Sequence, residues 1–303
     1  MELSSKYVGK RSRPCVVTIT PRQSMAYAAG VGDANPLYFD DERADGVIAP
    51  PMLAVSLTWQ LASRFAEFWD VGDFPTEVLA QQVHYSEALE WHHPMAPGST
   101  LTITGEVAAI LPHRAGTHMV LRFTAADSRG ATIFREYIGG MMRGVRCADG
   151  GAGIPGVPQA APWNGEREVL WEKRLRIDPL APWIYDMCGD VPFPIHTSRA
   201  FARAVGLQNV IYQGTATLAL ALRELTNEEA SADPRRVRGL ACHFTGMVEP
   251  GTEITVRALG KETTPDAVRV YFQVLNEKNH KAIRNGSVTF GVAGYSIGAA
   301  QSE

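Results

Sequence analysis

The sequence predicts an α+β protein built from two similar halves. A long amphipathic helical segment is followed by a run of strand-like segments, and the same order returns after a stretch rich in glycine and proline. Separate features also repeat at similar offsets: Gly32-Asp33 returns as Gly189-Asp190, 157 residues later, and Pro97-Gly98 returns as Pro250-Gly251, 153 residues later. Offsets this similar indicate an internal duplication.

The bulk composition is that of an ordinary soluble globular protein. The chain has 303 residues, of which 45% are hydrophobic and 20% are charged. This length suits two domains of about 150 residues, each able to bury its own core. The net charge of −3 gives no reason to expect a nucleic acid or a membrane as partner. Residues 1–13 are polar and basic, and no window approaches the roughly 18 apolar residues of a membrane span, so we expect a cytoplasmic protein.

Neither a metal centre nor a disulfide framework is predicted. The four cysteines are scattered and include no Cys-x-x-Cys pair: they are Cys15, Cys147, Cys188 and Cys242. His92-His93 has the composition of a metal-binding pair, but adjacent residues of a strand point to opposite faces, and we expect a loop at this position. His243 is expected to be a residue of a buried strand. We predict no metal and no redox cofactor.

The N-terminal half begins with a strand at residues 15–20 and a helix at residues 21–29 that Thr20 caps. Apolar residues then recur three and four apart along residues 52–70, which predicts one long amphipathic helix. Segments rich in β-branched and aromatic residues follow it and predict four strands. Those strands are expected at residues 77–84, 101–110, 117–125 and 131–142.

Residues 148–165 are dominated by glycine and proline and predict a linker. The domains are therefore expected at residues 1–147 and 166–303. The C-terminal domain repeats the first, with a strand, a loop, a short helix, a long helix and four further strands. These are expected, in that order, at residues 168–177, 184–196, 198–205, 215–225, 239–244, 253–259, 267–275 and 281–291.

The loop at residues 184–196 is the stretch around which the chain is organised. It carries Gly189-Asp190, then Pro192 and Pro194, which oppose regular secondary structure, and then His196. An irregular loop is thus expected to present a carboxylate and an imidazole. Beyond it, Gly214 opens an apolar helix, and the N–H groups at the start of a helix are free to receive negative charge.

These residues resemble the signature of the MaoC-like, type 2 (R-specific) enoyl-CoA hydratases. That signature runs Tyr, three residues, Gly-Asp-x-Asn-Pro-Leu-His, and reaches a helix-opening glycine 18 residues after the histidine. Here Gly189-Asp190 and Pro194-Ile195-His196 match, and Gly214 lies 18 residues after His196. The chain departs from the pattern between the two polar residues, because Asp190 and His196 are six residues apart, one more than in the family, and Phe193 stands where the family has Asn.

The resemblance covers nearly the whole chain and implies a double hotdog, in which each half is a sheet wrapped around one long helix. It implies reversible hydration of a 2-enoyl-CoA thioester to an (R)-3-hydroxyacyl-CoA. His196 would take a proton from water, and Asp190 would hold that water and exchange a proton with C2. The opposite division of roles between His196 and Asp190 is equally open. The Gly214 N–H would bind the thioester oxygen. The same residues also admit a structural interpretation, with an Asx-turn at Asp190, a loop hydrogen bond at His196 and close helix packing at Gly214.

A second copy of the signature occurs in the N-terminal half, at Gly32-Asp33 to Tyr38. Its last position holds tyrosine in place of histidine, and a phenol with a pKa near 10 is a poor base at neutral pH. Pro50-Pro51 precedes the next helix, and proline has no N–H to offer an oxyanion. We therefore expect a degenerate half that encloses the substrate, with Trp59 and its aromatic neighbours as candidate lining.

Two other functions remain open from the sequence, because a fold hosts several chemistries. One is hydrolysis of an acyl thioester, and the other is an inactive acyl-CoA-binding or scaffold subunit. The carrier is expected to be coenzyme A or an acyl carrier protein, and pairing of hotdog sheets at their edges makes a homodimer one expected assembly. Candidate residues for the carrier phosphates are Arg199, Arg203, Arg235, Arg236 and Arg238.

Overall fold

The computed structural model describes residues 1–165 and 169–292. These residues form thirteen β-strands and seven α-helices. The strands are β1 (Glu2–Leu3), β2 (Cys15–Thr18), β3 (Gln82–Trp91), β4 (Thr100–His113), β5 (Gly116–Ala126), β6 (Thr132–Arg143), β7 (Arg146–Cys147), β8 (Ala152–Gly153), β9 (Trp171–Arg176), β10 (Val237–Phe244), β11 (Glu253–Thr263), β12 (Ala267–Leu275) and β13 (Lys281–Gly291). The helices are α1 (Pro21–Gly30), α2 (Leu53–Ala62), α3 (Phe65–Phe68), α4 (Ala181–Gly189), α5 (Pro194–Thr197), α6 (Arg199–Ala204) and α7 (Gly214–Glu229).

One long antiparallel sheet joins the two halves. Its strand order is β2-β4-β5-β6-β3-β10-β13-β12-β11-β9, with β8 paired to β4, so the second half reverses the order of the first. The halves meet at the pairing of β3 with β10, where Leu89 lies opposite Leu240 and Ser86 opposite His243. The duplication seen in the sequence is therefore a duplication of structure, and the predicted α+β class is confirmed.

The central helix of each half packs its apolar residues between the other helices and the sheet. Leu53, Leu57 and Leu61 of α2 are buried, and so are Leu218 and Leu225 of α7. Burying each such side chain stabilises the fold by about 2 kcal/mol relative to leaving it in water. These two helices fix the places at which the loops of both halves can meet.

Helices α1 and α4 hold equivalent places in the two halves and pack against each other. The contact is close at Gly30, where an added Cβ would lie 2.6 Å from the Cβ of Cys188. Thr20 caps α1, as predicted, because its hydroxyl accepts the N–H of Gln23 at 3.1 Å. The α1–α4 contact therefore places the two copies of the signature side by side.

Three predicted elements differ from the structure. The single helix expected at residues 52–70 is broken into α2 and α3. The Arg64 guanidinium donates to the Gln60 carbonyl that a continuing helix would use, and the Arg64 N–H donates to Leu61 instead. The Ser63 hydroxyl adds a bond to the Trp59 carbonyl, which the Ser63 N–H also reaches. The strand expected at residues 77–84 begins as a 3-10 turn at Thr76–Gln81 and becomes regular only in β3, which continues to Trp91.

The third difference is the loop at residues 184–196, of which the first part belongs to α4 and the last part to α5. Of the two prolines expected to oppose regular structure, Pro194 begins α5 and Pro192 lies in the turn before it. Pro182 and Pro194 lie in the first turns, where a missing N–H costs nothing.

The segment at residues 148–165 runs across the outer face of the sheet. Within it β8 pairs with β4, and Ile154 and Val157 pack against a small apolar cluster around Val120. The strand expected at residues 168–177 corresponds to β9, and Glu168, its first residue, lies outside the described residues, as do residues 293–303 of the C-terminal domain. Between residues 1 and 165, and between 169 and 292, no helix combines the length and the apolar character that a membrane crossing requires.

Candidate active site

The stretch from α4 to α5 carries two of the three residues expected to act in the site. Helix α4 ends at Gly189, and Asp190 follows in the left-handed conformation with φ 51° and ψ 45°. Asp is one of the few residues apart from Gly that adopts this conformation readily. The chain then turns through Pro192 and Phe193 into α5, which carries His196.

The ring of His196 is fixed by a hydrogen bond from its Nδ1 to the carbonyl oxygen of Ile211, at 2.8 Å. A carbonyl oxygen can only accept, so Nδ1 carries the proton, and in the neutral ring Nε2 is left with a free lone pair. Burial lowers the pKa of His196 to about 4, against the smaller opposing effect of the Ile211 hydrogen bond. The imidazole is therefore neutral at pH 7, the state in which it can accept a proton.

Gly214 lies three residues beyond Ile211 and is the first residue of α7. Gln213 before it does not cap the helix with its side chain; its amide donates instead to the Pro182 carbonyl at 2.8 Å and ties the start of α7 to α4. The first N–H groups of the helix are thus left without a side-chain cap. The wall beside them is Phe244, whose Cδ1 would lie 3.1 Å from a Cβ added at Gly214.

The structure thus brings His196 and the start of α7 together and places Asp190 apart from them. Asp190 is exposed, and within residues 1–165 and 169–292 no hydrogen bond or ion pair joins it to His196. Burial raises the pKa of Asp186, and the charge of Asp190 raises it further. The hydrogen bond expected of His196 under the structural interpretation is present, but it leaves Nε2 free.

The N-terminal half holds this stretch from the other side. The hydroxyl of Ser56 on α2 donates to the carbonyl of Gly189, and the Trp59 indole N–H donates to the carbonyl of Pro192 at 3.3 Å. Both ends of the turn that contains Asp190 are therefore anchored to the helix of the other half. The candidate site lies where α2, α5 and α7 meet.

Comparison with known proteins agrees with this geometry. Residues 164–295 match the model of the MaoC like domain, and residues 6–136 match that of the FAS1-like, dehydratase domain region. The 3-hydroxyacyl-thioester dehydratase Y of Mycobacterium tuberculosis is 25% identical over 264 residues, which cover 84% of this chain and 87% of that protein. The MaoC-like dehydratase of Phytophthora capsici superposes with a TM-score of 0.80 at 20% identity, covering 94% of this chain and 97% of that one.

Both halves of the chain thus match dehydratase domain models, and the C-terminal half matches that of the MaoC like domain. A further solved structure, a Mycobacterium tuberculosis protein with a double hotdog fold, matches with a TM-score of 0.59 at 16% identity, covering 94% of this chain and 95% of that one. The predicted double hotdog is thereby confirmed. In the second copy of the signature, in the N-terminal half, Tyr38 stands at the position of the histidine.

In this N-terminal copy Asp33 is half-buried and Tyr38 is buried. Asp33 accepts the N–H of Asn35 at 3.1 Å, and burial raises its pKa. Tyr38 occupies the position of the histidine, and burial raises the pKa of its phenol well above the ordinary value. Of the expected lining, Phe65 and Trp69 stack on each other at 4.8 Å inside the core of the N-terminal half, whereas the Trp59 indole N–H bonds to Pro192 in the turn that carries Asp190.

The candidate arginines have different surroundings. Arg199 and Arg203 of α6 are exposed just beyond His196. Arg235, Arg236 and Arg238 are held by hydrogen bonds to Asp233, to the Gly291 carbonyl and to backbone carbonyls near the start of β10, respectively. Only the α6 pair is free of the hydrogen bonds that hold the other three.

The other residues considered from the sequence lie in loops, strands or helix contacts of the fold. His92 and His93 follow the end of β3, and both N–H groups donate to the carbonyl of Ile133, which confirms the expected loop. His243 lies in β10, as expected. Cys188 packs against Gly30. Among the described residues, no group of three or more His, Cys, Asp or Glu side chains is arranged to hold a metal ion.

Sequence reasoning missed an acidic cluster beside this site. Glu87 of β3 and Glu136 of β6 are 1% and 0% exposed. Glu136 accepts a hydrogen bond from the Thr58 hydroxyl, and Glu87 lies 3.0 Å from Nε2 of His84. The available signal was the alternation of side chains, which puts Glu87 on the face of Leu89 and Trp91 and puts Glu136 between Phe134 and Ile138, all buried. An unpaired carboxylate is almost never fully buried.

Proposed function

We propose that this protein catalyses the reversible hydration of a 2-enoyl thioester to an (R)-3-hydroxyacyl thioester, with coenzyme A as the carrier. The observation that carries the proposal is the placing of a neutral imidazole with a free Nε2 beside the uncapped first turn of α7. The reverse reaction is the dehydration named in the M. tuberculosis relative. The match to the MaoC like domain and the double hotdog support the same hydro-lyase chemistry.

His196 acts as the base in this proposal. Nε2 takes a proton from water while the water oxygen bonds to C3 of the enoyl group. The electron pair of the C2=C3 double bond moves toward the thioester, whose oxygen becomes enolate-like, and C2 then receives a proton from the carboxyl group of Asp190. Exchange of one proton with solvent returns each side chain to its starting state. The proton on Nδ1 stays with the Ile211 carbonyl throughout and keeps the ring in one orientation.

Gly214 supplies its N–H to the thioester oxygen. The first turn of a helix favours negative charge through its free N–H groups and its dipole. One such donor, aimed at charge that develops in the transition state, stabilises that state by about 3 kcal/mol. The close approach of Phe244 to Gly214 leaves little room for a side chain at this position.

Asp190 is the third member of the proposed site. We assign its carboxylate to holding the attacking water and exchanging the proton at C2, while the opposite division of roles with His196 also satisfies the chemistry. Support comes from its place in the Gly189-Asp190 signature and from the two α2 contacts that hold the turn around it. Asp190 is exposed, and no hydrogen bond joins it to His196 within the described residues.

A cavity of about 490 Å³, lined by three cations together with Glu249 and Glu277, adjoins the end of β10 and is our proposed place for the carrier phosphates. It begins at Thr245, the residue after Phe244, and Lys281 and Arg284 contribute to its lining. Lys278 also lines it but is paired with Glu249 at 2.8 Å. Removal of a cation here should raise KM for the coenzyme A thioester and leave kcat unchanged.

The test is an assay of the purified protein with crotonyl-CoA and with medium-chain and branched enoyl-CoAs, following loss of the conjugated thioester absorbance. Turnover by the wild type and its loss in His196→Gln support the proposal. The absence of turnover with every substrate, by protein whose folding is confirmed by circular dichroism, contradicts it. The matched control is His118→Gln, because burial also lowers the pKa of His118 to about 4.

The same incubation separates the two other functions. Release of free thiol, detected with a thiol reagent, indicates thioester hydrolysis. Tight binding of the acyl-CoA without turnover, with turnover restored by a second protein, indicates a scaffold subunit. Light scattering on the same sample tests the proposed homodimer, for which the edge strands β2 and β9 are the surfaces available to pair.

A further inference from the structure

Gln213, the residue immediately before Gly214, carries a buried side-chain amide of which one half lacks a partner. The side chain is 2% exposed. Its Nε2 donates to the carbonyl of Pro182 at 2.8 Å, and because a carbonyl oxygen can only accept, this bond fixes which way the amide faces. Its Oε1 is buried and has no hydrogen-bond partner between residues 1 and 165 or between 169 and 292. Gln213 therefore holds a free acceptor at the entry of α7.

This oxygen is suited to a donor that is not part of the protein chain. Buried polar atoms in folded proteins almost always make a hydrogen bond, with the protein, with ordered water or with a ligand. An acceptor left unpaired in the interior is unfavourable. The helix does not use the oxygen either, because the Gln213 side chain makes no capping bond to the first turn of α7. Water and a polar group of a substrate are the remaining donors.

Three hydrogen bonds close a ring through α4, α5 and the residues that precede α7. The first joins His196 to the Ile211 carbonyl at 2.8 Å, and the second is the bond from Gln213 to α4. The third returns from α4 to α5, because the Trp183 indole N–H donates to the Thr197 carbonyl at 3.0 Å. The imidazole of His196 and the amide of Gln213 thus belong to one connected arrangement.

The backbone that carries Gln213 is fixed on both sides. Before it, the Tyr212 N–H donates to the Val248 carbonyl at 2.9 Å, just beyond the end of β10. The Gln213 carbonyl itself accepts the N–H and the hydroxyl of Thr217, at 3.0 and 3.1 Å. A side chain on such a backbone, with its amide nitrogen already bonded, keeps its oxygen in one position.

Each of the two polar side chains in this ring uses its donor and has one acceptor left. In His196 the free acceptor is Nε2, and in Gln213 it is Oε1. A water molecule has two protons to donate, so one water can bind both acceptors and keep a lone pair of its oxygen for a new bond. Asp190, which is exposed, has no hydrogen bond to His196 in the part of the chain that the structure describes.

We propose that Gln213 positions the attacking water, by accepting one of its protons at Oε1 while His196 accepts the other at Nε2. The proposal rests on the function proposed above and deepens it. It moves the holding of the water from Asp190 to Gln213 and leaves Asp190 the proton exchange at C2. As the water oxygen bonds to C3, one proton passes to His196, and the other stays on the new 3-hydroxyl group, hydrogen-bonded to Gln213. The amide gains and loses no proton.

The experiment measures kcat and KM for hydration of crotonyl-CoA by two variants of Gln213. Gln213→Met has nearly the same shape but only a weak acceptor, and we expect kcat to fall about tenfold to hundredfold with little change in KM, because the water is misplaced while the thioester still binds. Gln213→Glu keeps an oxygen at this place and should recover most of the lost rate. Wild-type kcat in Gln213→Met, or equal losses in the two variants, overturns the inference.

Two further variants separate this role from packing. Gln273→Met makes the same substitution at a half-buried glutamine of β12 and should change neither kcat nor the melting temperature. Trp183→Phe breaks the third bond of the ring and removes no acceptor, so it should lower kcat less than Gln213→Met does, even at an equal loss of melting temperature. A loss of kcat in Trp183→Phe as large as that in Gln213→Met contradicts the role of the oxygen.

A crystal structure of the wild type tests the arrangement independently of activity. We expect one water within about 3.2 Å of both Oε1 of Gln213 and Nε2 of His196. A structure in which no water joins these two atoms, or in which a protein donor occupies Oε1, overturns the inference while the proposed hydration stands. The shared water in a protein that hydrates no enoyl-CoA contradicts the proposed function and supports the water site.

Discussion

The hydroxyl oxygens of Tyr27 and Tyr185 lie 3.1 Å apart at the centre of the contact between α1 and α4. Their rings meet edge to face, with centroids 5.8 Å apart at an angle of 71°. Tyr185 also donates to the Thr215 hydroxyl at 3.2 Å, so the oxygen of Tyr185 accepts from Tyr27. The tyrosine of the signature thus links its counterpart in the degenerate half to the first turn of α7.

This chain of hydroxyls predicts unequal effects of two conservative changes. Tyr185→Phe leaves the Tyr27 and Thr215 hydroxyls in the interior with fewer partners, and we expect a loss of about 2 kcal/mol in the free energy of unfolding. Tyr27→Phe removes one donor and should cost about 1 kcal/mol. Urea denaturation of both variants tests the order, and a Tyr185→Phe variant as stable as the wild type would contradict it.

The pH dependence of catalysis follows from the neutral imidazole. His196 works as a base only when unprotonated, and its pKa is lowered to about 4. We therefore expect kcat/KM to stay constant from neutral pH down toward pH 5 and to fall as the pH passes through about 4. His196→Gln should lower kcat by on the order of 10²- to 10⁴-fold, the usual contribution of a positioned base. An acid limb near pH 6.5 in the wild type would show that the ring is not buried as described.

A methyl group at Gly214 should separate catalysis from stability. The added Cβ would lie 3.1 Å from Cδ1 of Phe244, so the start of α7 or the ring must move by a few tenths of an ångström. We expect Gly214→Ala to lower kcat by on the order of tenfold, because the N–H donor is displaced. Thermal stability should be equal or higher, since Ala is the better helix former.

The control for that change is Gly150→Ala, where a Cβ meets nothing within 4 Å. It should alter neither kcat nor the melting temperature. Equal kcat in Gly214→Ala and the wild type would remove the α7 N–H from the proposed site. A fall in stability together with kcat would instead indicate disrupted packing.

The elements with the clearest sequence pattern were predicted to the residue. Both β12 and β13 have the bounds expected from their β-branched and aromatic content, because buried strands of one sheet leave a strong pattern. The break between α2 and α3 was missed because it depends on where the side chains of Ser63 and Arg64 bond, which apolar spacing does not record.

The site was predictable only in part, because the sequence records the spacing of its residues and not the contacts that orient them. His196 and Gly214 could be paired from a fixed spacing, whereas the orientation of Asp190 depends on one left-handed residue and two contacts from the other half. Glu87 was missed because the strand was expected to end at residue 84.

The role of Asp190 can be tested without changing the turn. Asn tolerates the left-handed conformation as Asp does, so Asp190→Asn removes the charge and keeps the backbone. We expect kcat to fall by at least about tenfold if the carboxylate exchanges the proton at C2. The matched control is Asp33→Asn in the degenerate copy, which should keep full activity. Full activity in Asp190→Asn would leave His196 as the acid–base group of the loop.

The last prediction concerns stability against pH. The pKa values of Glu87 and Glu136 are raised well above 4.5 by burial. A group with a raised pKa contributes stability that is fully present below its unfolded pKa and is lost as the pH rises through its folded pKa. The pair should therefore weaken the fold progressively from about pH 4.5 upward, and Glu136→Gln, which cannot ionise, should escape this loss.

We expect the melting temperature of Glu136→Gln, relative to that of the wild type, to rise steadily between pH 5.5 and pH 8.5. The control is Glu90→Gln on the neighbouring strand β3, because Glu90 is partly exposed and lies 3.7 Å from Arg135. Its melting curve should run parallel to that of the wild type at every pH. Parallel curves for Glu136→Gln as well would mean that the pair is already ionised and solvated.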